Sequence, residues 1–172
     1  FGSPEPKSEP DPIFSDPIFS LAHQAWKREI NTFETSAVGR LFDAAAALVL
    51  GRNTASFEGQ GPMELEHIAI DGCEAVPLPL ATADSGILRS DWAQLLDVLA
   101  DGDLSTAQRA GIFHETMAQA LIDQALEIRS THEFDAIGLS GGVFQNRRLT
   151  ESVLKKAKEQ GLEIRLHRDI PA

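Results

Sequence analysis

One stretch of the chain is built for binding through main chain rather than side chain: Ser140-Gly141-Gly142-Val143-Phe144-Gln145-Asn146. Paired glycines between a strand-like run and a helix-like run permit positive φ and leave no Cβ to hold a ligand away. The helix that follows is expected to offer unpaired N–H groups and the positive end of its dipole. Asn146, early in that helix, carries both a donor and an acceptor and suits a base edge or ribose hydroxyls. The competing reading is a plain tight turn in which Asn146 caps the helix. In parallel α/β sheets, ligands lie at the carboxyl ends of strands, which is where this turn falls.

Acidic residues supply the other candidates. Asp43 stands in the middle of a helical run, three residues after Arg40 on the same face. The pair either satisfies itself or aims a carboxylate at a sugar hydroxyl in a cleft. Glu58, Glu64 and Glu66 gather around Gly59 and Gly61. Glu64 and Glu66 are two apart and so point in different directions on a helix, and at most one of them shares a site with Glu58. The alternative for both is a solvated acid at a helix start, favoured by the dipole. His23, His67, His114, His132 and His167 contain no i,i+4 pair, which excludes a helical two-histidine metal site within this chain. His114, beside Phe113, is expected to be a core or groove histidine with a satisfied ring. The single cysteine, Cys73, excludes an intrachain disulfide and a cysteine-only metal site, and is expected to act as a small buried hydrophobe. No Ser-His-Asp series or P-loop can be assembled, and no residue is assigned a catalytic role.

The elements that must position these groups follow from pattern. Residues 1–16, with Pro4, Pro6, Pro10 and Pro12 among acids and serines, read as a linker. Asp16 and Pro17 open a helix carrying Phe19, Ala22, Trp26 and Ile30, which Asn31 ends. A second helix starts near Thr35 or Ser36 and stops at Gly51. Its apolar stripe is Val38, Leu41, Phe42, Ala45 and Leu48, and alanines on the other faces predict burial nearly all round, where Asp43 would need a partner. A short helix carries Met63, Leu65 and Ile68. Residues 71–89 are extended or irregular, with Pro77 and Pro79 limiting any strand to an edge. Ser90 caps a helix ending at Gly102, and Ser105 caps a longer one running to about Arg129 with Phe113, Met117, Leu121 and Leu126 inward. The strand Ala136-Ile137-Gly138-Leu139, the glycine turn, a helix over about 145–159 and an alternating run Leu162 to Leu166 form an α/β unit with parallel pairing.

The 172 residues, 42% hydrophobic and 24% charged, suffice for about one domain with a real core. Acids outnumber bases 26 to 15, a net charge of −11, which opposes nucleic-acid binding by bulk electrostatics and adhesion to an anionic membrane. No run approaches the ~18 apolar residues of a membrane span, and the N-terminal residues lack the basic-then-apolar layout of a signal peptide. A cytoplasmic location is expected. The chain stops at Ile170-Pro171-Ala172, soon after a strand-like run, as expected of a fragment.

Three stretches taken together carry a family likeness: Thr35-Ser36-Ala37-Val38-Gly39-Arg40-Leu41-Phe42-Asp43-Ala44, then Ser56-Phe57-Glu58-Gly59-Gln60 through Met63-Glu64-Leu65-Glu66, then Leu139 through Leu149 with its Phe-Gln-Asn-Arg run. In order and spacing they resemble the C-terminal part of the HypF-like hydrogenase-maturation carbamoyltransferases, from about residue 20 to the end. The resemblance implies a mostly helical α/β lobe with a small parallel-type sheet, the second half of an actin, Hsp70 and sugar-kinase type of fold, over residues 17–172. It implies use of ATP and carbamoyl phosphate to make carbamoyl-adenylate. The carbamoyl group then passes to a C-terminal cysteine of a partner maturation protein, to become the cyanide ligand of [NiFe]-hydrogenase iron. By the same likeness Gly141, Gly142 and Asn146 line an adenosine site, Asp43 and Glu66 face the ribose, Gly59 allows close approach, and Arg40 contacts phosphate or holds Asp43. A metal ion is then expected only in the intact protein, and zinc in an upstream domain, with no metal ligand in this chain. The expected partners are the first lobe and upstream domains and the cysteine-bearing acceptor, with no nucleic acid and no membrane. Where the family usually has two alanines this chain has Gly61-Pro62, which alters the loop and is expected to leave Glu66 in place. Two rival readings stand beside this one: a binding or assembly module without chemistry, and another carbamoyltransferase or kinase-fold member such as a sugar kinase or the tRNA threonylcarbamoyl-transfer protein.

Overall fold

The structure is a computed structural model that describes residues 17–52, 54–83 and 86–167. The linker expected over residues 1–16 lies outside the described residues. The chain divides into two units, residues 1–37 and 38–172. In the first, helix α1 spans Pro17–Lys27, with Pro17 at the first helical position as expected. It stops short of Ile30; Glu29 and Asn31 both take φ near 53°, a left-handed backbone that ends a helix.

The second unit runs α2 (Val38–Leu50), α3 (Gln60–Ile68), β1 (Leu80–Thr82), β2 (Leu88–Ser90), α4 (Ala93–Leu99), α5 (Thr106–Thr131), β3 (Ile137–Gly138), a 3-10 turn (Gly142–Gln145), α6 (Arg147–Glu159) and β4 (Ile164–Arg165). Strands β1 and β2 form an antiparallel pair, and β3 and β4 form the expected parallel pair, with Ile137 opposite Ile164. The result is a mostly helical α/β lobe in which α5 packs against α2, α3, α4 and α6.

Helix α5 owes its central place to its residues. Ser105 caps it through a reciprocal box: its hydroxyl accepts from the Gln108 N–H and the Gln108 side chain accepts from the Ser105 N–H. Ala110, Phe113, Met117, Ala118, Ile122 and Ala125 are buried at helical spacing. Phe113 meets Phe42 of α2 edge-on, with ring centroids 4.7 Å apart, so the two helices share an aromatic contact near the glycine turn's end of the molecule. Leu149, Val153 and Ala157 bury one face of α6 in the same core. Thr116, fully buried, accepts the Val76 N–H at 2.9 Å and ties the irregular segment after α3 to α5.

Three local expectations change. Helix α2 buries Phe42, Ala45, Ala46 and Val49 but leaves Ala44 and Ala47 exposed, because alanine faces offer too little apolar area to demand cover all round. Asp43 is therefore half-exposed rather than buried. Ser90 does not cap α4: the N-cap position is Trp92, without a side-chain cap bond, and Asp91 just before it accepts the Ala93 N–H at 3.0 Å, while Ser90 closes β2 and accepts from Gln124.

Gly111, in the middle of α5, lets the segment after α3 lie against the helix. A Cβ there would fall 2.6 Å from both the Cys73 Sγ and the Ile70 carbonyl oxygen. Gly111→Ala is expected to lower stability by about 2 kcal/mol, the overpacking cost outweighing alanine's better helix propensity. Cys73→Ala is expected not to rescue it, because the Ile70 carbonyl still clashes; urea unfolding of the single and double variants measures both.

Candidate functional site

The glycine turn is conformationally demanding. Gly141 takes φ 95° and ψ 159°, a region that is essentially restricted to glycine. A Cβ at Gly141 or Gly142 would meet nothing within 4 Å, so this backbone faces open space. The 3-10 turn that follows is closed by Phe144 N–H to the Gly141 carbonyl and Asn146 N–H to the Val143 carbonyl, each at 3.1 Å. Helix α6 begins only after it, so Asn146 is the N-cap, in extended backbone, and not a residue within the helix.

A helix start leaves four N–H groups, those of the cap and of the first three helical residues, without intrahelical partners. Here they are all taken. Glu66 of α3 places Oε1 2.7 Å from the Arg147 N and 3.3 Å from the Arg148 N, accepting from both. Asn146 Oδ1 accepts the Leu149 N–H at 2.8 Å, and the Asn146 N–H itself goes to the Val143 carbonyl at 3.1 Å. The expectation of unpaired N–H groups at this helix start is therefore corrected: a carboxylate from α3 already sits where the dipole favours an anion.

Asn146 is held from behind by His114, which is fully buried. The His114 Nδ1 lies 2.8 Å from the Ala110 carbonyl, and its Nε2 lies 2.9 Å from Asn146 Nδ2. A carbonyl only accepts, so Nδ1 carries the proton and Nε2 accepts from the amide. The chain of bonds then has one polarity, from the Leu149 N–H through Asn146 and His114 to Ala110. The ring also stands edge-on to Phe42 and Phe113, at 5.5 and 5.8 Å between centroids. Burial pushes the His114 pKa below the usual imidazole range; the Arg148 charge acts the same way, while the Ala110 bond, Glu66 and Glu115 oppose it.

The remaining candidates sit on α2 and the loop before α3. Arg40 pairs with Asp43 at 3.0 Å and reaches Glu58 at 3.9 Å; Arg40 and Glu58 are exposed and Asp43 half-exposed, so solvent screens the cluster and it adds little stability. Gly59, at φ 81°, turns the chain into α3 with open space beside it. The start of α2 adjoins the bend: a Cβ at Gly39 would lie 3.8 Å from the Val143 side chain. Glu64 turns to Arg52 and Gln60, at 2.8 and 2.9 Å, while Glu66 turns to α6, as their two-residue spacing requires. Glu66 Oε2 and Asp43 Oδ1 take no protein hydrogen bond among the described residues and remain as acceptors.

The bond from His114 to Asn146 and the Glu66 cap are the features that sequence reasoning missed. They join residues 32 and 81 apart, and the one available signal was that a buried histidine needs two partners. Cys73 is half-buried rather than buried; desolvation, then Glu115, push its pKa up, so its thiol stays protonated. It lines a cleft of about 540 Å³ with Glu115 and Lys156, a concavity whose lining does not include the bend.

Two outcomes follow from the helix start. Glu66→Ala is expected to lower stability by about 1 kcal/mol through loss of a charged cap, read as a shifted urea midpoint at unchanged m. Burial lowers the folded His114 pKa, so its contribution is complete above the ordinary imidazole pKa of about 6.5 and falls away as pH drops below it, because the unfolded chain takes up the proton more readily than the folded one. Unfolding midpoints between pH 7.5 and 5.5 are expected to decline for the unmodified chain and to decline less for His114→Gln.

Residues 7–172 match the family described as "Carbamoyltransferase, Kae1-like Domain, second subdomain". The chain is similar to the carbamoyltransferase HypF of Rhodobacter capsulatus, 33% identical over 153 residues, covering 88% of this chain and 20% of that protein. It is similar also to the carbamoyltransferase HypF of Rhizobium leguminosarum bv. viciae, 36% identical over 140 residues, covering 80% of this chain and 18% of that protein. Among solved structures, that of full-length HypF in its phosphate- and nucleotide-bound form superimposes with a TM-score of 0.80 at 30% identity, covering 90% of this chain and 21% of that one. The chain thus spans about a fifth of the length of the relatives it matches. Extending across nearly the whole chain, these matches show that it belongs to the HypF-like carbamoyltransferases, as the second subdomain of their Kae1-like domain.

Proposed function

We propose that this chain is the nucleotide-gripping lobe of an ATP-dependent carbamoyltransferase, completed by a first lobe and upstream domains. In this reading the whole protein forms carbamoyl-adenylate: water cleaves carbamoyl phosphate to carbamate and phosphate, and the carbamate oxygen attacks the α-phosphorus of ATP, expelling pyrophosphate. It passes the carbamoyl group to the C-terminal cysteine of a maturation protein: the sulfur bonds to the carbamoyl carbon, the thiol proton is lost and AMP leaves. The product is destined for the cyanide ligand of a [NiFe]-hydrogenase. The same reading assigns the metal ion and the zinc to parts of the protein outside this chain, and the work to the cytoplasm.

One observation carries the reading: bare backbone at Gly141-Gly142 opens beside a helix start that Glu66 has brought together with it. A side chain at either glycine would fill the space a ligand needs, which suits the approach of a flat base or a sugar. Glu66 Oε2 and Asp43 Oδ1, without protein donors among the described residues, suit ribose hydroxyls. The similarity to a HypF solved with phosphate and nucleotide adds support. Within this lobe the residues' work is binding and orientation, since the reacting carbamoyl group needs chemistry that these side chains do not assemble.

A second reading, a binding or assembly module without chemistry, draws on the internal duties of Asn146 and Glu66, both of which help close α6. Gly141→Ala separates the two. Titrating AMP and ATP against the chain joined to its first lobe is expected to show binding, and the chain alone is expected to bind more weakly, because half a cleft encloses less of the ligand. Gly141→Ala is expected to cost at least tenfold in affinity while circular dichroism shows the fold retained. No binding to the completed protein sinks the nucleotide reading, and an unchanged affinity in Gly141→Ala removes the bend from it.

A further inference from the structure

We propose that His114 is a positioning residue for the nucleotide: through Asn146 it holds the glycine bend and the start of α6 in the arrangement that receives the ligand. The inference rests on the nucleotide reading above and adds to it a residue that never touches the ligand.

An asparagine amide has two orientations of nearly the same shape, and only its neighbours choose between them. Asn146 Oδ1 faces the Leu149 N–H and Nδ2 faces His114 Nε2. Turned over, the amide would set N–H against N–H at Leu149 and oxygen against a lone pair at His114. Both contacts would repel, so one orientation survives as long as Nε2 is an acceptor. The Ala110 carbonyl secures that condition by taking the Nδ1 proton. Asn146 is also bonded through its own main chain, its N–H to Val143 and its carbonyl to Thr150. It is thus the joint between the 3-10 turn and α6, and its side chain is the part of the joint that His114 controls.

His114 has no exposed surface, so it acts on a ligand only through this joint. The charged groups around it come from three elements: Arg148 from α6, Glu66 from α3 and Glu115 from α5 itself. Helix α2 contributes the Phe42 ring. A proton on Nε2 would set two donors against each other. Asn146 would then have to turn, leaving the Leu149 N–H facing an amide N–H, or swing away and uncap α6. Either movement loosens the bend. Burial opposes that protonation at neutral pH, and acid brings it nearer.

The test compares two substitutions that divide the ring's duties. His114→Gln keeps an acceptor at about the reach of Nε2, and His114→Asn keeps only the shorter bond to Ala110. AMP affinity is measured by calorimetry at pH 7.5 and 5.5 on the chain joined to its first lobe, with amide hydrogen exchange followed at Leu149. His114→Asn is expected to lose at least tenfold in AMP affinity and to exchange faster at Leu149. His114→Gln is expected to stay within about threefold of the unmodified protein. The unmodified protein is expected to weaken at pH 5.5 and His114→Gln to weaken less. Equal losses in both variants, in step with their thermal stability, would mean that His114 only fills the core, and would overturn the proposal. If the unmodified protein binds no AMP, the nucleotide reading fails by itself, and Leu149 exchange judges the hold on the bend: faster only in His114→Asn sustains it, equal rates in both variants overturn it.

Discussion

The organisation of the site depends on how the first turn of α6 satisfies its N–H groups. These donors cannot be left bare at a partly buried helix start, where each unmet group costs about 1–3 kcal/mol. Glu66 takes two of them, the Asn146 side chain takes a third, and the Asn146 N–H goes to the Val143 carbonyl. Meeting that demand forces α3, the bend and α6 to converge, because the carboxylate and the amide come from segments far apart in the chain. The His114 ring behind Asn146 makes the arrangement directional, and α5 supplies that ring from a capped helix whose one face is buried from Ala110 to Ala125.

A filled anion position has a consequence for any ligand. The end of α6 is the natural seat for a phosphate, and a carboxylate already holds it, in a chain with a net charge of −11. On the nucleotide reading, this lobe is therefore suited to the uncharged part of the ligand. Base and sugar would lie over the bare backbone of Gly141-Gly142, with unused carboxylate oxygens as acceptors for hydroxyls. The phosphates then need cations from beyond the bend, and Arg40 is bound up with Asp43 and Glu58. This division of labour explains why acids and glycines, rather than lysines, mark the stretches that carry the family likeness.

Features governed by neighbours in sequence were legible before the fold was known. The Ser105 cap, the parallel strands either side of a helix, and the differing directions of Glu64 and Glu66 follow from local geometry, and the structure contains each. What was not legible depends on distant partners. Asn146 reads equally as ligand group or cap until His114, 32 residues away, is seen to engage its amide. The start of α6 was misplaced because a 3-10 turn and an α-helix begin with the same residue types, and only the extended backbone of Asn146 separates them. The failure of Ser90 to cap α4 likewise depends on a partner distant in sequence: Ser90 is held in β2 opposite Leu80, and the helix begins after Trp92 with Asp91 accepting the Ala93 N–H.

At Gly61-Pro62, where the resemblance led to an expectation of two alanines and of an undisturbed Glu66, the structure shows what the glycine does. A Cβ on Gly61 would come within 2.9 Å of the Ala46 Cβ, so the glycine allows α3 to lie closer to α2 than an alanine would. That contact is on the side of α3 that packs on α2. Glu66, more than a turn further on, still reaches the N–H groups of Arg147 and Arg148. Glu58, just before Gly59, still reaches Arg40. Glycine at this position therefore sets the distance between two helices while the carboxylate that closes α6 reaches its partners, as a site held by hydrogen bonds from α3 to α6 requires. It is the packing that yields, because a helix pair can shift by a few tenths of an ångström at modest cost, whereas an uncapped helix start cannot be made good by any small movement.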